Sequence, residues 1–175
     1  MEQEIRLEGR RVLVTGAARG LGESFARALV ASGARVVISD VLHERGQSLA
    51  AELGAQASYV PLDLLDPAGI RDGVDQAAAL MGGIDGLINN AAYFREVKLT
   101  PFEEIDPAIW ERIFRVNVQG VWNCCKAVMP AMRAQQSGAI VNIASVVAVA
   151  GQPGYLHYVA SKGAVLAMTD RKSVV

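Results

Sequence analysis

The stretch RVLVTGAARGLG, residues 11–22, decides the fold. Its first five residues predict a buried strand, and the glycines behind them predict a tight turn that opens a helix reaching about residue 32. The start of such a helix offers free N–H groups and a partial positive charge, and both suit a pyrophosphate. The spacing Gly-x-x-x-Gly-x-Gly between a strand and a helix therefore predicts a phosphate-binding loop. The alternative is an ordinary glycine-rich loop.

Outward from this loop, short apolar runs alternate with segments of helical periodicity. Strands are predicted at 35–39, 57–61, 84–88 and 138–145, and helices at 44–53, 67–81, within 102–133 and from 156 to 169. This alternation predicts an α/β fold with right-handed crossovers. The sheet is expected to be doubly wound, mostly parallel and covered by helices on both faces.

The composition excludes several classes of protein. With 51% hydrophobic residues and a net charge of −1 over 175 residues, the chain is too apolar to be disordered and has no basic stripe for nucleic acid. Its apolar runs are too short to cross a bilayer, and the acidic start MEQEIR lacks the features of a secretory signal. We expect a cytoplasmic protein without nucleic-acid or membrane partners. Cys124 and Cys125 have no metal-ligand spacing around them, so no metal site is predicted.

Two aspartates follow predicted strands on the side of the sheet where the loop lies. A carboxylate at Asp40 can accept hydrogen bonds from an adenosine ribose and would repel a 2′-phosphate. Arg19 argues the other way, because a guanidinium in the loop can meet that phosphate. On balance, the Asp40 carboxylate outweighs Arg19, and the sequence favours NAD over NADP. The alternative role for Asp40 is a helix N-cap. Asp63 is expected either to orient the adenine or to cap the turn before Pro67.

Tyr158-Val-Ala-Ser-Lys162 places a phenol and an ammonium four residues apart on one face of a predicted helix. An unperturbed phenol has a pKa of about 10, and a neighbouring cation lowers that pKa by stabilising the phenolate. The pair can therefore move a proton to or from an alcohol oxygen. Tyr155 lacks such a partner, because Val159 stands four residues after it.

Over about residues 10–169, these motifs resemble the compact, single-domain branch of the short-chain dehydrogenase/reductase family. The loop is similar to the family's cofactor signature, and the stretch 89–92 (NNAA) resembles its Asn-Asn-Ala-Gly turn. Ala92 replaces the usual glycine and adds strain if the position needs a positive φ. The resemblance implies a Rossmann-like, three-layer fold and two sets of site residues. These are catalytic Asn117, Ser145, Tyr158 and Lys162, and cofactor-binding Gly16, Arg19, Gly20, Leu21, Gly22, Asp40, Asp63, Leu64, Asn90, Ala91, Tyr158 and Lys162.

The resemblance also implies a reaction, hydride transfer between a nicotinamide cofactor and a secondary alcohol or ketone. Tyr158 would exchange the proton, Lys162 would hold the cofactor ribose and depress the Tyr158 pKa, and Ser145 would align substrate and phenol. Asn117 would anchor a water chain or, alternatively, bond the backbone where its helix bends. Two other functions stay open: an NADP-dependent 3-oxoacyl-thioester reductase and a non-catalytic nucleotide-binding fragment.

The substrate is expected to be a small molecule held by a mostly apolar wall, drawn from residues 93–95, 146–149 and 155–157. By resemblance, the complete parent would form a homodimer or homotetramer. The last strands of the family fold and its substrate lid are expected to be missing, so residues 1–169 form one incomplete domain of low stability and activity. Residues 170–175 break the helical pattern. A set of codons for them matches a common sequencing adapter, so we interpret them as a non-native tail.

Overall fold

The computed structural model describes residues 6–169; the predicted tail at 170–175 lies outside the described residues. Five strands alternate with seven α-helices within that part of the chain. The strands are β1 Arg11–Thr15, β2 Arg35–Asp40, β3 Ala57–Pro61, β4 Gly86–Asn89 and β5 Ala139–Asn142. The helices are α1 Gly20–Ala31, α2 His43–Leu53, α3 Pro67–Met81, α4 Pro107–Phe114, α5 Val121–Ala134, α6 Val147–Ala150 and α7 Leu156–Met168.

All strand pairs are parallel, and the sheet order is β3-β2-β1-β4-β5. The chain therefore moves outward from β1 to β3, then returns past β1 to add β4 and β5. This reversal leaves a crevice between the carboxyl ends of β1 and β4, where open parallel sheets bind their ligands. The predicted doubly wound α/β fold is confirmed, and the glycine loop lies beside that crevice.

Two apolar layers cover the two faces of the sheet because successive strand residues point to opposite sides. Leu13 packs in a cluster that includes Ile70 of α3 and Val128 of α5. Val14, the next residue of β1, packs on the other side in a cluster that includes Ala26 of α1 and Leu49 of α2. The sheet is thus buried on both faces, as its continuous apolar strands predict.

The predicted ends of α3 are confirmed and follow from local chemistry. Asp66 accepts a hydrogen bond from the N–H of Ala68 at 3.1 Å, and Pro67 occupies the first helical position, where a missing N–H has no cost. Gly82 ends the helix in the left-handed region, with φ of 79°.

Three predicted elements differ from the observed ones. The fourth and fifth strands, predicted at 84–88 and 138–145, pair only over Gly86–Asn89 and Ala139–Asn142. The long helical region at 102–133 is divided into a 3₁₀ turn at Phe102–Glu104, α4, a π-helical segment at Arg115–Gly120 and α5. Pro107 explains the break at the start of α4, because the Asp106 side chain caps a new helix there. No helix among residues 6–169 is long and apolar enough to cross a membrane.

Candidate active site

The glycine loop turns sharply between β1 and α1. Gly16 and Gly20 have φ of 63° and 61°, in the left-handed region that favours glycine. A Cβ on Gly16 would lie 2.6 Å from the Cα of Ala91, so the packing beneath the loop admits no side chain. A Cβ on Gly20 would meet nothing within 4 Å, which leaves this face of the loop open to a ligand. The turn therefore has the shape that a pyrophosphate needs for close approach to the backbone.

Thr15 and Asn90 join the loop to the turn that follows β4. The Thr15 hydroxyl oxygen accepts hydrogen bonds from the N–H groups of Asn90 and Ala91, each at 3.1 Å. The Asn90 amide donates to the carbonyls of Thr15 and Gly16 at 3.0 and 2.9 Å. These four bonds hold the two strand ends that flank the crevice. Thr15 is absent from the predicted site residues, and its place at the head of the glycine motif is the signal that could have found it.

A cleft of about 710 Å³ opens over the loop, a volume within the range of small-molecule and cofactor sites. Leu21 and Gly22, both predicted cofactor residues, lie beside it in α1, the first exposed and the second buried. The cleft is lined by the glycine backbone of the loop, the Asp40 carboxylate and the Arg19 guanidinium. These groups fit the adenosine diphosphate half of a nicotinamide cofactor. The other predicted cofactor residues outside α7 line it directly: Gly16, Arg19, Gly20, Asp40, Asp63, Leu64, Asn90 and Ala91.

The Asp40 carboxylate is fixed at the end of β2. Its Oδ2 accepts from the N–H of Ala18 and its Oδ1 from the N–H of Leu42, both at 3.0 Å. Each oxygen keeps a further lone pair, so the group can accept ribose hydroxyls without moving. Leu42, rather than Asp40, occupies the N-cap position of α2, so the alternative role proposed for Asp40 is wrong.

Asp63 has the turn-forming contact that was one of its two predicted roles. Its Oδ1 accepts from the N–H of Leu65 at 2.9 Å, and the helix cap itself belongs to Asp66. Because Asp63 is exposed on the wall of the cleft, its role toward adenine stays a prediction.

Lys162 and Tyr158 lie one turn apart on α7, which packs near the end of β5. The Lys162 ammonium is almost completely buried and donates to the carbonyl of Ile143 at 2.6 Å. It lies 6.0 Å from the centre of the Tyr158 ring. Ser145 follows β5, in the loop rather than in the predicted strand, and its hydroxyl interacts with the Tyr158 phenol. The fold therefore brings the predicted Tyr158 phenol, Lys162 ammonium and Ser145 hydroxyl close together.

The pKa shifts in this group differ from the expected ones. Burial raises the pKa of the Tyr158 phenol, the Ser145 hydroxyl opposes the rise, and the expected lowering by Lys162 is not seen in this structure. Burial also lowers the pKa of Lys162 to about 8. Desolvation disfavours the charged form of each group, which raises the pKa of the phenol and lowers that of the ammonium. Lys162 is still mostly protonated at neutral pH.

Asn117 lies in the π-helical segment and is completely buried. Its amide oxygen accepts from the N–H of Tyr93 at 2.7 Å, and its Nδ2 donates to the carbonyl of Tyr93 at 3.3 Å and to the Ser161 hydroxyl at 3.1 Å. Ser161 in turn donates to the carbonyl of Tyr158 at 2.8 Å. The side chain therefore bonds the backbone of Tyr93 in the loop after β4 rather than the backbone of its own helix, and its part in a water chain stays a prediction.

Phe94 connects the cleft to the Tyr158 phenol. Its ring lines the cleft and lies 4.5 Å from the Tyr158 ring and 6.0 Å from the Tyr155 ring, measured between centres. Ala92, two residues earlier, shows no strain, because Gln136 is the only non-glycine residue of the described chain with a positive φ. The strain considered for Ala92 is therefore not found.

The buried ammonium of Lys162 gives a testable pH dependence. Its pKa is about 8 in the folded protein and 10.5 in a free chain, so the folded state binds fewer protons between these pH values. Its contribution to the free energy of unfolding must then rise with pH across that window. Urea unfolding at a series of pH values should show this rise in wild type and lose it in Lys162→Met. The comparison of the two slopes removes the contributions of Tyr158 and Cys124, which both proteins share.

Lys126→Met is the matched control, because the Lys126 side chain is exposed on α5. This control should keep the wild-type slope. Parallel pH profiles for wild type and Lys162→Met would contradict the burial of the Lys162 ammonium.

Comparisons with known proteins agree on one family. The family model described as short chain dehydrogenase matches residues 10–173. A 3-alpha-(or 20-beta)-hydroxysteroid dehydrogenase from Mycobacterium bovis is 41% identical over 164 residues, which are 94% of this chain and 62% of the relative. The chain thus spans less than two thirds of the length of that relative.

Two solved structures have the same fold. A 3-ketoacyl-(acyl-carrier-protein) reductase from Brucella melitensis, complexed with NADH, has a TM-score of 0.89 at 34% identity, over 93% of this chain and 68% of its own. A gluconate 5-dehydrogenase from Burkholderia cenocepacia, in complex with NADP and tartrate, has a TM-score of 0.88 at 37% identity, over 95% and 65%. Proteins of this fold are therefore recorded with either nicotinamide cofactor.

Proposed function

Because the chain belongs to the short chain dehydrogenase family, we propose that the protein is an NAD-dependent oxidoreductase that acts on a secondary alcohol or ketone. The observation that carries this proposal is the pairing of Tyr158 with the buried ammonium of Lys162, next to a cleft over a glycine loop. A phenol at this place can exchange a proton with an alcohol oxygen, and the loop can hold a dinucleotide.

Each group of the site has a distinct part in the proposed reaction. A bound nicotinamide cofactor would accept or supply the hydride. Tyr158, as the phenolate, takes the proton from the substrate hydroxyl during oxidation, and as the neutral phenol it donates that proton during reduction. Lys162, protonated at neutral pH, supplies the positive charge that a developing phenolate requires. Ser145 holds the substrate oxygen and the phenol in line.

NAD is the cofactor we propose, because the Asp40 carboxylate cannot turn away from a 2′-phosphate without breaking its bonds to Ala18 and Leu42. Asp40→Ala should bind NADH roughly 10- to 100-fold less tightly, since hydrogen bonds to charged groups contribute roughly 1.5–3 kcal/mol. The same change should leave NADPH binding equal or tighter. Fluorescence titration of both cofactors measures the ratio of the two affinities.

Asp72→Ala, at an exposed position of α3, is the control for the Asp40 experiment and should leave both affinities unchanged. A wild-type protein that prefers NADPH would overturn the assignment of NAD. So would an Asp40→Ala protein with the wild-type ratio.

The substrate side of the site favours an apolar alcohol or ketone. Val146 and Val149 are 77% and 80% exposed, and Phe94 and Leu156 are each 45% exposed. An apolar surface beside the catalytic phenol is unfavourable in water and gains from contact with a hydrophobic substrate. We propose a hydrophobic secondary alcohol or its ketone as the substrate class.

Turnover measured by the absorbance of reduced nicotinamide tests the function. A hydroxysteroid, a simple cyclic alcohol, a sugar acid and a 3-oxoacyl thioester form the substrate panel. The proposal expects NAD-linked turnover of the first two. NADPH-linked reduction of the thioester alone would favour the reductase alternative, and cofactor binding without any turnover would favour a nucleotide-binding protein that is not an enzyme.

We also propose that the protein is a cytoplasmic homodimer or homotetramer. Trp122 is 53% exposed on α5, and Trp110 and Phe114 form a partly exposed ring stack on α4. Such an exposed apolar surface on neighbouring helices supports self-association. The free thiols of Cys124 and Cys125 fit a reducing compartment. Sedimentation velocity should show a dimer or tetramer, and a monomer at micromolar concentration would contradict the proposed assembly.

A further inference from the structure

Arg45 of α2 reaches back to the glycine loop. Its Nε donates to the carbonyl oxygen of Ala18 at 2.8 Å, across 27 residues of sequence. The bond joins a helix that follows β2 to the turn that follows β1. The phosphate-loop motif itself does not include an arginine at position 45, so the contact depends on the packing of α2 against the loop.

The Arg45 contact acts on a segment whose neighbouring peptides are already fixed. The N–H of Ala17 donates to the carbonyl of Ser39 at 3.1 Å, and the N–H of Ala18 donates to Asp40 Oδ2 at 3.0 Å. Arg45 holds the next peptide, the one between Ala18 and Arg19. Three successive peptides of the loop are thus held by β2 or by the start of α2.

The third peptide is trans, because no peptide bond in the described chain is cis. In a trans peptide the carbonyl and the N–H point in opposite directions. Arg45 draws the Ala18 carbonyl toward α2, so the Arg19 N–H points the other way. Arg19 and Gly20 both line the cleft, where the phosphates of a dinucleotide are expected.

A chain of opposite charges limits the positions that the Arg45 side chain can take. Its guanidinium lies 3.6 Å from Glu23 of α1. Glu23 also contacts Arg27 at 2.9 Å, and Arg27 contacts Glu52, near the end of α2, at 2.7 Å. The contacts cross from α1 to α2 twice and hold the two helices together beside the loop.

From this geometry we propose that Arg45 is a positioning residue of the phosphate-binding loop. It fixes the plane of the Ala18–Arg19 peptide, so that the Arg19 N–H is directed at the phosphates of an adenosine diphosphate group. This inference rests on the proposed function, because it assumes that the cleft binds a dinucleotide. Arg45 itself does not need to touch the ligand.

The test compares the affinities of ADP-ribose and adenosine for wild type and Arg45→Met, measured by titration calorimetry and by ligand-detected NMR. Methionine keeps much of the side-chain length but cannot donate to the Ala18 carbonyl. We expect the dissociation constant of ADP-ribose to rise about three- to tenfold, as loss of one hydrogen bond from a partly exposed charged donor implies. Adenosine has no phosphate, and its affinity should change less than about twofold.

Arg45→Lys restores a cationic donor and should recover most of the ADP-ribose affinity. Arg71→Met, an exposed position of α3, controls for the loss of a positive charge and should match wild type. Unchanged ADP-ribose affinity in Arg45→Met, equal weakening of ADP-ribose and adenosine, or no recovery in Arg45→Lys would each overturn the inference. A wild-type protein that binds neither ligand would instead refute the proposed function.

Discussion

Gly22→Ala is expected to displace the glycine loop and abolish measurable binding of NADH at concentrations that saturate wild type. A Cβ at this position would lie 2.6 Å from Asn90 Nδ2 and 2.8 Å from the Cα of Ala17, and closer still to the carbonyl oxygen of Gly16. Two of these three atoms belong to backbone, which cannot rotate away. The third belongs to the amide that ties the loop to β4.

The expected loss of stability in Gly22→Ala is opposite to the gain that helix propensity predicts. Alanine in place of glycine inside a helix usually stabilises it by about 1 kcal/mol. At Gly22 the clash with fixed backbone costs more, because overpacking of a well-packed site typically destabilises by about 1–3 kcal/mol. Urea unfolding should therefore show a loss of stability of this size. Calorimetric titration with NADH measures the loss of cofactor affinity.

Gly163→Ala is the matched control, since this glycine also lies inside a helix but a Cβ there would meet nothing within 4 Å. It should be as stable as wild type or more stable, with unchanged affinity for NADH. Wild-type stability and affinity in Gly22→Ala would show that the loop does not pack against the turn after β4 as described.

Tyr158→Phe is expected to reduce turnover by a factor of about 10²–10⁴, the contribution typical of a positioned acid–base group. The change removes only the hydroxyl, so the ring keeps its contact with Phe94, 4.5 Å away between centres. Cofactor affinity should fall far less than turnover, because the glycine loop and Asp40 are untouched and the change removes at most one contact of the phenol with the cofactor. Steady-state turnover with the best substrate of the panel and NADH titration separate these two quantities.

Tyr155→Phe provides the control for Tyr158→Phe. Tyr155 lies near the same phenylalanine, at 6.0 Å, but has no lysine one turn further along the helix. Its variant should keep turnover within about threefold of wild type. Equal loss of turnover in both variants, or more than a tenth of wild-type turnover in Tyr158→Phe, would refute the assignment of Tyr158 as the proton carrier.

Much of the fold could be predicted from local patterns. The glycine spacing after 11–15 and the cap at Asp66-Pro67 with Gly82 act within a few residues, so a linear sequence displays them directly. The predictions were weaker at β4 and β5. A strand extends only where its ladder partner has a matching register, and that register is set by another part of the chain.

The breaks in the 102–133 region show a second limit. The apolar periodicity there predicts helix, which the structure confirms, but it does not reveal the π-helical turn around Asn117. That turn accompanies the bonds from Asn117 to Tyr93 and Ser161, which lie 24 and 44 residues away. Contacts over such separations leave no periodic pattern in the sequence.

By itself, the sequence determined the order of strands and helices, the glycine turn after β1 and the placing of Tyr158 one helical turn before Lys162, because each depends on residues close together in the chain. Only the tertiary structure decided what surrounds them. Burial of Lys162 lowers its pKa to about 8, and burial of Tyr158 raises the pKa of its phenol, opposite to the expected direction. The Arg45 contact with the loop arises in the same way, from packing of distant segments, and desolvation and long-range hydrogen bonds exist only after that packing forms.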